Sequence, residues 1–434
     1  MYKTAKYTDT NTGNEIVDLI ERLYPICRSI TGDGVRESLG ILQEIIPLEM
    51  REIPTGTEVF DWTVPKEWNI NEAWIKGADG KKVVDFEVSN LQILNYSAPV
   101  DRNITFDELK EHIYTLPDQP DLIPYRTSYY NENWGFCMEH TKFENLADGD
   151  YHAYIDSSFK EGSLTYGELF IEGEEKDEVL ISCHICHPSL CNDNLSGISV
   201  ATQLAKSLIG KKNRYSYRFL FIPGTIGSIT WLAMNEGQTK HISHGLVLSC
   251  VGDTGHITYK KSRRGDAEID QVVNEVLKHR DKEYEIREFI PYGYDERQYC
   301  SPGFNLPVGC FMRTPFGEFP EYHTSADNLD LVNADALADS LSAIQQMVYV
   351  IEHNQSYQNL NPKGEPNLGK RGLYKLTGGA ANEEVDQMAI LWVLNLSDGK
   401  HSLLDIAARA DMPFQRIKRA ADALKKVSLL GTTN

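Results

Sequence analysis

The sequence predicts an α/β protein: a mixed sheet flanked by helices, with a β-rich insert near its start and a helix-turn-helix pattern at its end. Three observations predict it. Short apolar runs alternate with amphipathic helical stretches from about Gly149 to Glu352. An aromatic and β-branched tract, Val59 to about Met138, precedes them. A polar linker after His353, NQSYQNLNPKGEPNLGK, separates them from a last helical segment.

The elements follow in order. Ile16, Val17, Ile20 and Leu23 recur at helical spacing, as do Val35, Leu39, Leu42 and Ile46, with the Gly-rich turn RSITGDG between them. VFDWTVP, FEVSNLQILNYSAPV and YRTSYYNENWGFCM then read as strands, with turns at Ala78-Asp79-Gly80 and Pro117-Asp118-Gln119-Pro120. EVLISC (178–183), YRFLFI (217–222), LVLSCV (246–251) and VGCFMR (308–313) read as buried strands of a mixed or parallel sheet. Ser196–Ile209 and Asp335–Glu352 read as helices on that sheet. Beyond the linker, Glu383–Leu394 reads as a helix. Leu403–Ala410, the turn Asp411-Met412-Pro413 and Phe414–Val427 form the helix-turn-helix, and Leu429-Leu430 starts a wing. The expected division is residues 1–47 with 148–355 as the α/β domain, 48–147 as the insert and 361–434 as the winged helix.

Bulk properties narrow the function. No apolar run approaches the roughly 20 residues of a membrane span, and MYKTAKYTDT lacks the apolar core of a signal peptide. The cytoplasm is therefore the expected compartment, where the eight cysteines stay reduced. A net charge of -20 repels phosphate backbones from the body of the chain. Residues 361–434 differ, with 11 Lys/Arg against 8 Asp/Glu, and Arg416, Lys418, Arg419, Lys425 and Lys426 fall on one helix. That helix hints at nucleic-acid contact, but the favoured reading is a winged-helix module used for packing or protein contact, with these basic residues on a solvated face.

Polar clusters fall at or beyond the carboxyl ends of the predicted strands, the edge at which open α/β sheets bind ligands. His184 and His187 follow one strand, and Asp193 precedes a helix. Asp253 follows a second strand, Asp295 and Glu296 lie in PYGYDERQY, and His323 lies in EYHTSADN. Imidazole and carboxylate suit Zn²⁺ or a similar borderline ion. A structural zinc finger is disfavoured: Cys183 and Cys186 make one C-x-x-C, Cys191 follows, and no second pair completes it.

ISCHICHPSLCNDNLSG (181–197) resembles the zinc aminopeptidase clan, in which a histidine near a strand end precedes a DN-x-SG segment opening a helix. YHTSADN resembles that clan's last metal-histidine motif, and GYDERQY its acidic loop. The addition of FDWTVPKEWNI in a β-rich insert and of a C-terminal winged helix is similar to a bacterial aminopeptidase-like subfamily linked to polysaccharide biosynthesis. The resemblance implies a zinc-exopeptidase-like sheet and one or two Zn²⁺ ions. It implies metal ligands at His184 (which His187, without a counterpart in the clan, could replace), Asp193, His323 and a further carboxylate. Strict spacing puts Cys250 at that last place, and Asp253 is the nearest carboxylate. Gly224-Thr225 stand where the clan has adjacent glutamates, one of them the general base, and Cys186 replaces a carboxylate two residues after the first histidine.

The expected function is metal-dependent hydrolysis of an amide or peptide bond in a small substrate, with Glu296 favoured over Asp295 as base and Glu318 and Glu321 as further candidates. Arg263, Arg264 or Arg297 would bind a substrate carboxylate. The alternative is a metal-binding pseudoenzyme, a ligand sensor whose winged helix contacts DNA or a protein. Oligomerisation is left open.

Overall fold

Apolar runs buried on both faces place the central strands. EVLISCH (Glu178–His184) is buried along its whole length and lies between two parallel neighbours, Ser216–Ile222 and Ile242–Leu248. Val308–Met312 adds a further parallel strand. The computed structural model describes residues 10–373 and 386–432. Among these, the large sheet has eight strands, in the order Glu49–Pro54, Ser163–Ile171, Ser216–Ile222, Glu178–His184, Ile242–Leu248, Val308–Met312, Ile257–Lys260, Tyr284–Arg287. Its parallel centre is extended on both sides by antiparallel strands.

Two compact units are described separately: residues up to 265 with 285–342, and 266–284 with 343 onward. In the first, helix Gly197–Leu208 is buried around most of its circumference, which accounts for its small residues Ser199, Ala201, Thr202 and Ala205. A second, antiparallel sheet has the order Lys82–Asp85, Glu67–Gly77, Asp150–Lys160, Val100–Thr105. Ile75, Val84, Ile104, Phe136 and Ile155 fill the core beneath it. FEVSNLQILNYSAPV is not the strand expected. It forms a 3₁₀ turn, Asn90–Gln92, and a loop whose polar groups bond elsewhere: Asn95 Nδ2 donates to Arg28 O (2.9 Å) and accepts from Ser29 Oγ (2.6 Å) at Oδ1.

In the second unit, helices Gln387–Leu396, Leu403–Ala410 and Phe414–Lys426 accompany a three-stranded sheet of Asp398–Ser402, Ser356–Asn359 and Leu430–Thr432. Asp386 caps the first helix, accepting from Met388 N and Ala389 N. Ser402 and Asp405 form a capping box at the second. Asp411, in the left-handed region (φ 52°), ends that helix and opens the turn. The expected helix start at Glu383 and the leader reading of MYKTAKYTDT lie outside the described residues, apart from Thr10. No helix among the described residues is long and apolar enough to cross a membrane.

Candidate metal centre

The central strand ends at His184, whose side chain is fully buried. The chain turns through Ile185–Leu190, and a buried guanidinium fixes that turn. Arg28 Nε donates to His187 O (2.8 Å), Nη2 to Pro188 O (2.9 Å) and Nη1 to Leu23 O (2.7 Å). Arg28 is wholly buried and forms no ion pair with a described residue.

The DN-x-SG segment then reads as a set of clamps. Asp327 accepts from Asn192 N (2.6 Å) and Asp193 N (2.9 Å), holding the turn that presents Asp193. Asn192 donates to Asp253 Oδ2 (2.9 Å) and accepts from Gly252 N (2.9 Å). Asn194 donates to Leu248 O (2.9 Å) and accepts from Cys250 N (3.2 Å). Ser196 Oγ accepts from Val251 N (3.0 Å). A Cβ at Gly197 would stand 2.4 Å from Asn194 Oδ1 and 2.7 Å from Leu248 O, so only glycine permits this approach.

Three imidazoles converge on Asp193. His184 Nε2 lies 2.7 Å from Asp193 Oδ1; His323 Nε2 and His187 Nε2 lie 3.0 Å and 3.7 Å from Oδ2. Donor atoms of His184, His187 and Asp193 all fall within 4.8 Å of one another. His184, His187 and Asp193 are buried, while the His323 side chain is 29% exposed, so the cluster opens on the His323 side. Tyr125 stands with its ring centroid 5.0 Å from both His187 and His323, and Tyr322 stacks on His323 at 4.0 Å. His323 itself has φ 55°, and its carbonyl accepts from Tyr125 N (2.7 Å).

Burial drives the electrostatics. It pushes the His187 imidazole well below its ordinary value, against the pull of Asp193, and so favours the neutral ring. Burial alone would lift the Asp193 carboxyl; the neighbouring imidazoles of His187 and His184 and hydrogen bonds from His184 and His323 outweigh it and hold Asp193 well below the usual range. Asn194 orients the imidazole of His184. Its amide is oriented by Leu248 O and Cys250 N, so its NH₂ faces His184 Nδ1 at 3.2 Å. The His184 proton then sits on Nε2, facing Asp193. Two histidines and a carboxylate, with the third histidine able to orient the carboxylate, fit a zinc-type ion.

The other expected residues have partners outside the imidazole cluster. Asp253 accepts from Asn192, Gly255 N (2.7 Å) and Thr314 Oγ1 (2.6 Å), and so braces the turn without joining the imidazoles. Asp295 Oδ1 accepts from Thr225 N (2.7 Å) and Ser228 Oγ (2.9 Å), which brings a carboxylate to the Gly224-Thr225 turn. Its Oδ2 is buried with no hydrogen-bond partner among the described residues. Burial lifts the Asp295 carboxyl to about 6. Glu296 is wholly buried in an ion pair with Lys260 and accepts from Tyr294 N (3.0 Å). Glu318 pairs with Arg287, and Arg263 and Arg264 both donate to Asn305. Cys183 Sγ turns away toward Leu220 O (3.8 Å), whereas Cys186 Sγ accepts from Gly224 N (3.2 Å) and lies 3.5 Å from His187 Nδ1.

Sequence reasoning missed three residues. Asp327 was inside the YHTSADN motif, and that motif was the signal for it. Tyr294 stacks on His184 at 3.7 Å, and a Cβ at Gly224 would stand 2.3 Å from its hydroxyl, so the ring fills the space that a side chain at 224 would need. The glycine was the signal. Arg28 had no local signal at all.

A family model described as "Domain of unknown function (DUF4910)" matches residues 17–354. The chain belongs to the DUF4910 family. Past the DUF4910 region, a winged helix-turn-helix model matches residues 355–432. A Clostridium acetobutylicum protein is 55% identical over 432 residues, 99% of each chain; its name, given provisionally, is polysaccharide biosynthesis protein with aminopeptidase-like domain. A crystal structure from Clostridium acetobutylicum, described provisionally as a peptidase, is 54% identical, with a TM-score of 0.93 over 98% of this chain and 97% of that one. The zinc aminopeptidase BSAP from Bacillus subtilis, 14% identical, superposes with a TM-score of 0.59 over 78% of this chain and 94% of its own. This DUF4910 chain therefore has an aminopeptidase-like fold, as YHTSADN and DN-x-SG implied.

Proposed function

We propose that this chain is a zinc-dependent hydrolase of amide or peptide bonds. The observation that carries the reading is the convergence of His184, His187 and His323 on the two oxygens of buried Asp193, at the carboxyl edge of an aminopeptidase-like sheet. Asp193, His187 and His323 are the proposed ligands, with His184 donating to Asp193 and setting its orientation. When bound, the ion supplies Lewis-acid polarisation of a carbonyl and acidification of water.

Asp295 takes the role of proton acceptor in this reading. Glu296, favoured on sequence grounds, is committed to Lys260, whereas Asp295 keeps one oxygen unpartnered and its carboxyl at about 6. Asp295 is ionised above that value, so activity should fall as pH drops below about 6, and Asp295→Asn should remove it. Tyr125 and Tyr322 flank the opening beside His323 and form the walls against which a substrate would lie.

The test joins metal content to turnover. Chain purified without added metal should carry an ion that Asp193→Ala lacks. Metal-loaded protein should hydrolyse aminoacyl arylamides, or amides of amino sugars, which the provisional name of the Clostridium acetobutylicum relative makes worth including. His323→Ala should abolish that turnover. No turnover across a broad panel of both amide types would reject the hydrolase reading.

A further inference from the structure

Behind the loop that carries His187 lies a second cavity, of about 740 Å³, between the turn following helix Thr10–Leu23 and the strand Glu67–Gly77. None of His184, His187, Asp193, Asp295 or His323 lines it. Its volume falls among those of small-molecule sites, roughly 300–1,000 Å³. Ser189, two residues beyond His187, forms part of its wall.

The lining has two characters. Ile70 and Phe86 supply apolar surface, while Asn69 and Asn71 supply side-chain amides that each keep one N–H beyond those donated to Glu67 and Asp156; Asn90, whose two N–H groups go to Pro25 O and Ser189 Oγ, completes the wall. The polar side is held in place: Asn69 Oδ1 accepts from Asp33 N (2.7 Å), and Asn90 Nδ2 donates to Ser189 Oγ (2.8 Å). A pyranose offers the complement, a CH face for the apolar side and hydroxyls for the amides. Charge narrows the class further. Glu37 and Glu87 line the cavity, are exposed, and form no ion pair with a described residue. No lysine, arginine or histidine lines it. Such a field disfavours phosphates and carboxylates and favours a cation.

We infer that this cavity is a binding site for a polyhydroxylated amine of the amino-sugar class, separate from the metal centre. The inference is independent of the hydrolase reading, because binding is measured without turnover.

Saturation-transfer NMR titrations of the full chain with glucosamine and with glucose test it. Saturable binding of both is expected, with glucosamine about fivefold tighter, the scale of an exposed charge pair. Glu37→Gln with Glu87→Gln should close that gap. Val88 is 77% exposed and lines the cavity, so Val88→Trp should block both sugars without disturbing the core. His323→Ala should leave binding unchanged. Absence of saturable binding, equal affinity for the two sugars in the wild type, or binding that survives Val88→Trp would each overturn the assignment.

Discussion

Gly224 shows how a single position can set the chemistry around it. A methyl group there would meet the Tyr294 ring at 2.3–2.6 Å, so Gly224→Ala must push the ring off His184. Overpacking of this kind costs about 1–3 kcal/mol, and thermal melting of the variant should show that loss. The two histidines of the CHICH segment are separable by the same kind of reasoning. His184 donates to Asp193 with its Nδ1 occupied by Asn194, whereas His187 is neutral and turns Nε2 toward Asp193. His184→Gln keeps a donor facing Asp193 and should weaken metal binding by roughly 10–100-fold, as loss of an orienting partner does. His187→Ala should leave no stoichiometric metal. The reverse ranking, read by metal analysis after dialysis, would give His184 the ligand role. At this scale the sequence revealed residues that sit in local motifs, such as His184, Asp193 and His323. It did not reveal Arg28 or Tyr294, whose partners His187 and His184 lie 159 and 110 residues away.

Among the elements, helix Glu268–Lys278 carries a buried carboxyl whose effect can be measured. Burial lifts Glu275 to about 7 from an ordinary 4.5, although Phe414 N donates to it (2.9 Å). A carboxyl raised in the folded state contributes stability below its unfolded value, and loses that contribution as pH rises through its folded value. The wild type should therefore lose stability relative to Glu275→Gln between about pH 4.5 and 7, because glutamine keeps the acceptor without the charge. Parallel melting curves of the two proteins across that range check the sign; a gap that narrows with rising pH would contradict it. Element legibility followed burial. Glu178–His184 and Ser216–Ile222 announced themselves as apolar runs because both their faces are covered. Ser163–Ile171 and Glu49–Pro54 gave no such signal: Glu52 and Glu168 lie on these strands and pair with Arg36 and Arg51. FEVSNLQILNYSAPV had strand-like composition but found its hydrogen bonds in the Arg28–Ser29 turn, and tertiary partners overrode propensity.

For the whole molecule, charge bears on partners. The chain carries 43 basic and 63 acidic residues, and the cations of helix Phe414–Lys426 are largely engaged. Arg416 pairs with Asp386, Lys418 with Asp422, and Lys425 lies over the Tyr357 ring. Full-length protein should therefore show no salt-sensitive binding to duplex DNA even at low ionic strength; a steep fall of affinity with added salt would contradict this. The layout of an α/β region followed by a winged helix was legible because composition and periodicity change sharply at the linker. How the turn before helix Asp33–Gln43 fastens the site loop was not legible, because that join is purely three-dimensional. It also has a consequence for biosynthesis. Arg28 leaves the ribosome 159 residues before His187, which at about 5–20 residues per second is a wait of roughly 8–30 s. Until then Leu23 O and Ser38 Oγ can take only its Nη1, and the Nε and Nη2 that later donate to His187 O and Pro188 O have only water, so the amino-terminal helices cannot close into their final packing ahead of the sheet. The first segment made is among the last to be locked, and a chain stalled before Pro188 should hold that segment open to protease.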